Sequence, residues 1–171
     1  MSGPLVSARF RTCVDRLIVI EGNGKVANSP NDRGGLTRWG ISQRSYPHLD
    51  IRNLTRDDAV QIYHRDFWTP IRGDKFDSIA VANVVFVYGV HSGPGTSAKR
   101  LQETLNGLGK PLSVDGRIGP ATLSAANSVP PLVLVDAFKR NIQAHYDRII
   151  AADPTQEGFA NGWRNRLKGG L

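Results

Sequence analysis

Glu21 closes an apolar run, Leu17-Ile18-Val19-Ile20, and is followed by Gly22-Asn23-Gly24. A carboxylate at the apolar end of a helix loses solvation of its charged form, which favours the protonated state that a general acid needs near neutral pH. Asp32 and Thr37 stand further along the same glycine-rich stretch. A second carboxylate and a hydroxyl facing an acid can hold a water or stabilise a developing oxocarbenium ion, the division of labour used in glycoside hydrolysis. Each residue also has a plainer use. Glu21 reads equally as a solvated helix end, at the terminus where the helix dipole slightly disfavours an anion. Asp32 reads as an Asx-turn or cap residue, and Thr37 as a strand residue.

Three aromatic residues, Trp39, Tyr63 and Trp68, have faces able to bury the apolar side of a pyranose; the alternative for each is core packing. Asn83 is an amide inside an otherwise apolar helix, where it must find partners as a structural hydrogen bonder or as a contact to substrate. His91 fits either a bond to a sugar amide or a helix cap. No Cys/His spacing suggests a zinc site, and the chemistry read here needs no metal or organic cofactor.

The elements that would position these groups are mostly helical. Leu5 to Ile20 carries apolar residues at Leu5, Phe10, Cys13, Val14, Leu17 and Ile18, a helical stripe that should stop near Glu21-Gly22. Gly22 to Gly40 holds glycines at 22, 24, 34, 35 and 40 among Asn, Asp and Pro residues, and predicts an irregular or hairpin excursion of the kind that carries sites. Thr55 with Asp58 predicts a capped helix through Ala59, Ile62, Tyr63 and Phe67, ending near Trp68-Thr69-Pro70. Ile79 to Val90 is apolar nearly all round and predicts a central core helix. Further helices are expected from Thr96 to Leu108, from Pro120, and from Pro131 to Ala152, the last with Leu132, Val135, Phe138, Ile142, His145, Tyr146 and Ile149 on one face. A tail follows from Phe159, carrying Trp163 and Leu167.

The 171 residues make about one domain, expected as a single compact unit whose first part ends near residue 90 and whose second runs from 91 to 171. An apolar fraction of 40% and a charged fraction of 22% are those of an ordinary globular chain, which argues against disorder. The lone cysteine, Cys13, excludes an internal disulfide scaffold and reads as buried filler. A net charge of +7 favours a polyanionic partner such as an acidic cell wall, while the scatter of the basic residues argues against dedicated nucleic-acid binding. Arg9, Arg11, Asp15 and Arg16 interrupt any signal-peptide core, and no apolar segment reaches the ~20 residues of a membrane span.

Three ordered segments carry a resemblance. These are Leu17-Ile-Val-Ile-Glu-Gly, Asn31-Asp-Arg-Gly-Gly-Leu-Thr-Arg-Trp-Gly-Ile, and Asp57-Asp-Ala-Val-Gln-Ile-Tyr-His-Arg-Asp-Phe-Trp-Thr-Pro-Ile. Together they resemble the glycosyl hydrolase 108 muramidases, lysozyme-like enzymes found as phage endolysins and as bacterial proteins linked to secretion. His91-Ser-Gly-Pro-Gly-Thr-Ser-Ala-Lys-Arg-Leu-Gln and Val114-Asp-Gly-Arg-Ile-Gly-Pro-Ala-Thr-Leu resemble the predicted peptidoglycan-binding region that follows in such proteins. The resemblance implies a mainly α, lysozyme-like α+β fold with a small hairpin after the first helix. It also implies cleavage of the β-1,4 bond between N-acetylmuramic acid and N-acetylglucosamine, with Glu21 as the acid and Asp32 and Thr37 in the family's Asp-x-Gly-Gly-x-Thr run.

The chain departs from the family at Asn23-Gly24, where Gly-Tyr is usual, at Leu36, where an acidic residue often stands, and at His91, where Asn is common. The implied partner is bacterial peptidoglycan, met by a monomer made in the host cytoplasm and released to the wall. Two competing expectations are a lytic transglycosylase, which also needs one acid but leaves an anhydro product, and a wall-binding or secretion-accessory protein without activity.

Overall fold

The computed structural model describes residues 6–27, 35–158 and 162. The expected tail residues Phe159, Trp163 and Leu167 lie outside the described residues, as does Asp32. The chain forms two compact units, Met1–Asp66 and Phe67–Leu171.

In the first unit, α1 spans Ala8–Ile20, with Ser7 as N-cap accepting the Phe10 N–H at 3.1 Å. Its apolar stripe puts Phe10, Cys13, Val14, Leu17 and Ile18 inside. The helix ends where glycine allows a left-handed backbone: Gly22 has φ +87°, and a Schellman pair closes the last turn, with Asn23 N–H donating to Ile18 O at 2.9 Å and Gly22 N–H to Val19 O at 3.3 Å.

The excursion returns as a hairpin, β1 (Thr37–Arg38) paired antiparallel with β2 (Ile41–Ser42), in register Thr37 with Ser42 and Arg38 with Ile41. Ala27 adds a bridge to Thr37 through reciprocal bonds of 2.8 and 2.9 Å. After a 3-10 turn, Ile51–Asn53, α2 spans Arg56–Tyr63 and opens with the expected capping box between Thr55 and Asp58. An ion pair between Arg56 and Asp15 joins α2 to α1, and Phe10 meets the His64 ring edge-on at 4.9 Å. A π-helical turn, His64–Trp68, continues the chain from α2.

The second unit is built on α3, Ile79–Ser92. Val81, Ala82, Val84, Val85, Phe86, Val87 and Tyr88 are all buried, so this helix must be enclosed, and α4 (Pro94–Gly107) and α6 (Pro131–Ala152) pack against it. Ser97 of α4 donates to Val85 O at 2.7 Å, and Tyr88 meets Phe138 of α6 edge-on at 5.9 Å. α5, Pro120–Asn127, starts on the proline expected at a first helical position. Buried Gln102 donates to Asp115, Arg117 O and Thr122 and accepts the Gly116 N–H, which fastens the Val114-Asp115-Gly116 turn to α4.

The expected inward face of α6 needs one correction. Leu134, Phe138, Ile142 and Tyr146 point inward, while Leu132 is 76% exposed in the first turn. The inward stripe therefore begins two residues later than the apolar spacing suggested. Among the described residues no helix is long and apolar enough to cross a membrane.

Candidate active site

Glu21 is the C-cap of α1; its N–H donates to Leu17 O at 2.9 Å and the residue is half-buried. What faces it is decided by the hairpin. The two-residue connection Trp39-Gly40 has positive φ at both positions, +54° and +78°, as a type I′ turn requires. Glycine adopts this freely, whereas a tryptophan held there is strained and persists only when its surroundings over-determine it. They do so from several directions. The Trp39 indole N–H donates to Leu54 O at 3.0 Å, and the Tyr63 hydroxyl donates to Trp39 O at 2.9 Å. The Arg38 guanidinium lies 5.9 Å from the indole centroid and donates to Gly24 O. The ring itself rests on Gly24 so closely that a Cβ there would stand 2.4 Å from it.

Gly40 is equally tight. A Cβ at this position would come within 2.3 Å of the Tyr63 hydroxyl oxygen and 3.0 Å of both Cβ and Cγ of Glu21. The hairpin turn thus packs against both the Tyr63 hydroxyl and the aliphatic stem of Glu21. Burial, and after it the negative charge of Glu21 and the neighbouring Tyr46, push the Tyr63 phenol far above its ordinary pKa, so it stays a neutral hydrogen-bond donor beside the carboxyl group.

Behind it, the Tyr46 hydroxyl donates to Asp66 at 2.7 Å, and Arg65 donates to both oxygens of the same carboxylate at 2.6 and 2.7 Å. The Arg65 side chain, ahead of the Tyr46 hydroxyl, holds Asp66 below the usual carboxylate range. Asp66 is therefore a fixed anion in the unit that carries Glu21.

Of the residues singled out by sequence, the structure brings Glu21, Trp39 and Tyr63 together. Thr37 lies on the same hairpin, its hydroxyl donating to Gly35 O at 3.3 Å. The expectation that Tyr63 and Trp68 offer a face to sugar is corrected. Both are 1% exposed, Tyr63 spending its hydroxyl on Trp39 and Trp68 its indole N–H on Asp74 at 3.0 Å, with Phe86 edge-on at 5.5 Å. They are core residues. Asn83 and His91 lie on α3 in the second unit, half-buried, and the Asn83 Oδ1 is buried without a hydrogen-bond partner. Among the described residues no cluster of His, Cys, Asp or Glu is arranged to hold a metal.

Sequence reasoning took Gly40 and Gly24 only as turn formers in the glycine-rich stretch and did not single out Asp66. The first carried half of a signal, since glycine is favoured at the second position of a type I′ hairpin, while Trp39 at the first, where Asn, Asp or Gly is usual, masks it.

Residues 15–93 match the family described as glycosyl hydrolase 108, and residues 96–168 match the predicted peptidoglycan domain. The structure of Brucella abortus SagA is similar to this chain with a TM-score of 0.77 at 23% identity, over 93% of this chain and 89% of that one. The fold is accordingly mainly α and lysozyme-like, with a small two-stranded hairpin. No curated protein matches.

Proposed function

Since residues 15–93 belong to the glycosyl hydrolase 108 family and a peptidoglycan domain follows them, this chain is a peptidoglycan hydrolase, and we propose that it is an N-acetylmuramidase with Glu21 as its acid. The observation that carries this reading is the seat of Glu21: a half-buried residue at the end of α1, its Cβ and Cγ held against Gly40 and its charge within the electrostatic reach of the buried Tyr63 phenol. A carboxyl group so placed can hold a proton for the glycosidic oxygen between N-acetylmuramic acid and N-acetylglucosamine, a contribution of about 10²–10⁴ in rate. As the leaving group departs, positive charge develops on the sugar ring, and the family's Asp32 and Thr37 are assigned to stabilise it or to place the attacking water. The remaining binding energy is assigned to the second segment, and the +7 charge of the chain favours an anionic wall.

The test is mass spectrometry of the soluble products from purified sacculi treated in parallel with wild type and Glu21→Gln. Reducing-end muramic acid products from wild type alone are expected. Anhydro products would make the enzyme a lytic transglycosylase, and turnover by a folded Glu21→Gln protein would remove Glu21 from the chemistry. We further assign the enzyme an endolysin role, in which it is made in a bacterial host's cytoplasm and reaches the wall on release. Cells expressing it should stay intact until their membrane is permeabilised and then clear; clearing without permeabilisation would overturn that role.

A further inference from the structure

The first unit holds a second concavity, a half-open pocket of about 450 Å³, within the range of small-ligand sites. Its apolar floor is Leu54 and Ile62, each 6% exposed. Asp58, Gln61 and Arg65 rise along α2 and its π-helical extension on one side, and His48 and Asp50 stand on the segment before the 3-10 turn on the other. In a chain of net charge +7, a pocket presenting two carboxylates opposite the Arg65 guanidinium, with the His48 ring as a further hydrogen-bonding group, suits a ligand that carries both signs.

We propose that this pocket binds the zwitterionic end of a diamino acid in the peptidoglycan stem peptide, its ammonium toward Asp50 and Asp58 and its carboxylate toward Arg65 and His48. The inference rests on the peptidoglycan reading and specifies which wall chemistry it prefers. A side chain ending in an ammonium alone, as in lysine, would leave Arg65 and the His48 ring without a ligand partner.

The polar groups retain the capacity for this. Asp58 uses Oδ2 for the Thr55 N–H and hydroxyl, and Asp50 accepts from Asn53, while a carboxylate offers about four acceptor positions. The hydrogen bond from the Thr55 hydroxyl lowers the pKa of Asp58, and that from the Asn53 amide lowers that of Asp50, so both are anions at neutral pH. Arg65 donates to Asp66 through Nε and Nη2, which leaves Nη1 for a ligand carboxylate. The floor suits the methylene chain of a diamino acid.

Contacts within the first unit also link the pocket to the turn after Glu21. Leu54 lines the pocket and accepts the Trp39 indole N–H, and that indole rests on Gly24, in the turn that follows Glu21. A glycan held at Glu21 hangs its stem peptide from the lactyl group of muramic acid. At about 3.3–3.6 Å per residue, an extended stem carries its third residue, the diamino acid, roughly 10 Å from that group.

The experiment is amide NMR on the full chain, titrated with L-Ala-γ-D-Glu-meso-diaminopimelate and with the corresponding L-lysine tripeptide. The expected result is shifts confined to residues 48–65 and an affinity about ten-fold higher for the diaminopimelate peptide, the weight of one charge-assisted hydrogen bond. Asp58→Asn, which preserves a capping acceptor, should abolish binding of both peptides. Arg65→Gln should erase the preference between them. No shift in this segment, equal affinity for the two peptides, or full binding by a folded Asp58→Asn chain would overturn the proposal. Because the probes contain no sugar, peptide binding without release of sugar from sacculi would leave the pocket standing and remove the hydrolase reading. Sugar release without peptide binding would do the reverse.

Discussion

Adding a single methyl group at Gly40 tests whether the hairpin turn holds the acid. Gly40 has φ +78°, and a Cβ would stand 2.3 Å from the Tyr63 hydroxyl and 3.0 Å from Cβ and Cγ of Glu21. A non-glycine residue in the left-handed region costs about 1–2 kcal/mol. Tyr63 is 1% exposed, so its ring has no room to swing aside, and its bond to Trp39 O, about 1 kcal/mol, goes as well. Gly40→Ala should therefore lose about 2–3 kcal/mol.

Gly109→Ala is the matched control, because Gly109 has the same φ of +78° with nothing within 4 Å of its added Cβ, and it should lose only the backbone part. At roughly 2–4 °C per kcal/mol for a chain of this size, Gly40→Ala melts roughly 4–12 °C below wild type. Turnover is affected as well. A Cβ 3.0 Å from Glu21 makes its side chain give by a few tenths of an ångström, and with 1 Å costing on the order of 10² in rate, Gly40→Ala should lose about 3- to 10-fold, whereas Gly109→Ala should leave the rate unchanged. Thermal melts and reducing-sugar release from sacculi, run on both variants, read the two effects. Equal stability losses in the two variants together with wild-type turnover in Gly40→Ala would refute the idea that the Trp39-Gly40 turn seats the acid.

Other outcomes follow from the same structure. Gln102→Leu should shift the urea midpoint by the equivalent of about 1–3 kcal/mol, since it removes the acceptor of the Gly116 N–H and the donor to Arg117 O and Thr122; an unchanged midpoint would show that the Val114-Asp115-Gly116 turn does not depend on this amide. Asp66, whose folded pKa lies below 3.8, contributes stability that is present above that value and is lost as pH falls through the lower folded value, so Asp66→Asn should flatten the acid limb of the stability curve, and an unaltered limb would refute the assignment. Tyr63 and Tyr46, both raised from 10.0, contribute stability that is full below pH 10.0 and is lost as pH rises beyond it, so Tyr63→Phe should be less stable at neutral pH and show a shallower alkaline decline in urea melts.

Much of the helical framework was legible because its signals are local. The stripe Phe10, Cys13, Val14, Leu17, Ile18 sets the buried face of α1, and Gly22 supplies the left-handed residue that ends it at Glu21. Thr55 with Asp58 opens α2, and Pro120 and Pro131 start α5 and α6 at the position where a missing N–H costs nothing. The all-round apolar character of Ile79–Val90 could be satisfied only by enclosure, and α4 and α6 enclose it.

Local patterning along the chain was enough to place a carboxyl group at the end of an apolar helix and a glycine-rich return after it, because turn residues and 3.6-residue spacing act over a few positions. It could not determine what faces that carboxyl group. Whether an aromatic ring packs inward or meets a sugar depends on neighbours far along the chain. Tyr63 and Trp68 went to the core, and Trp39 took a strained backbone held by Leu54, Tyr63 and Gly24. Nor could it foresee that Gly40 packs against both Tyr63 and Glu21, or that Asp50, Asp58, His48 and Arg65 share one pocket. Contacts between distant residues arise only when the elements close on one another, and that closure is set by the packing of the whole fold.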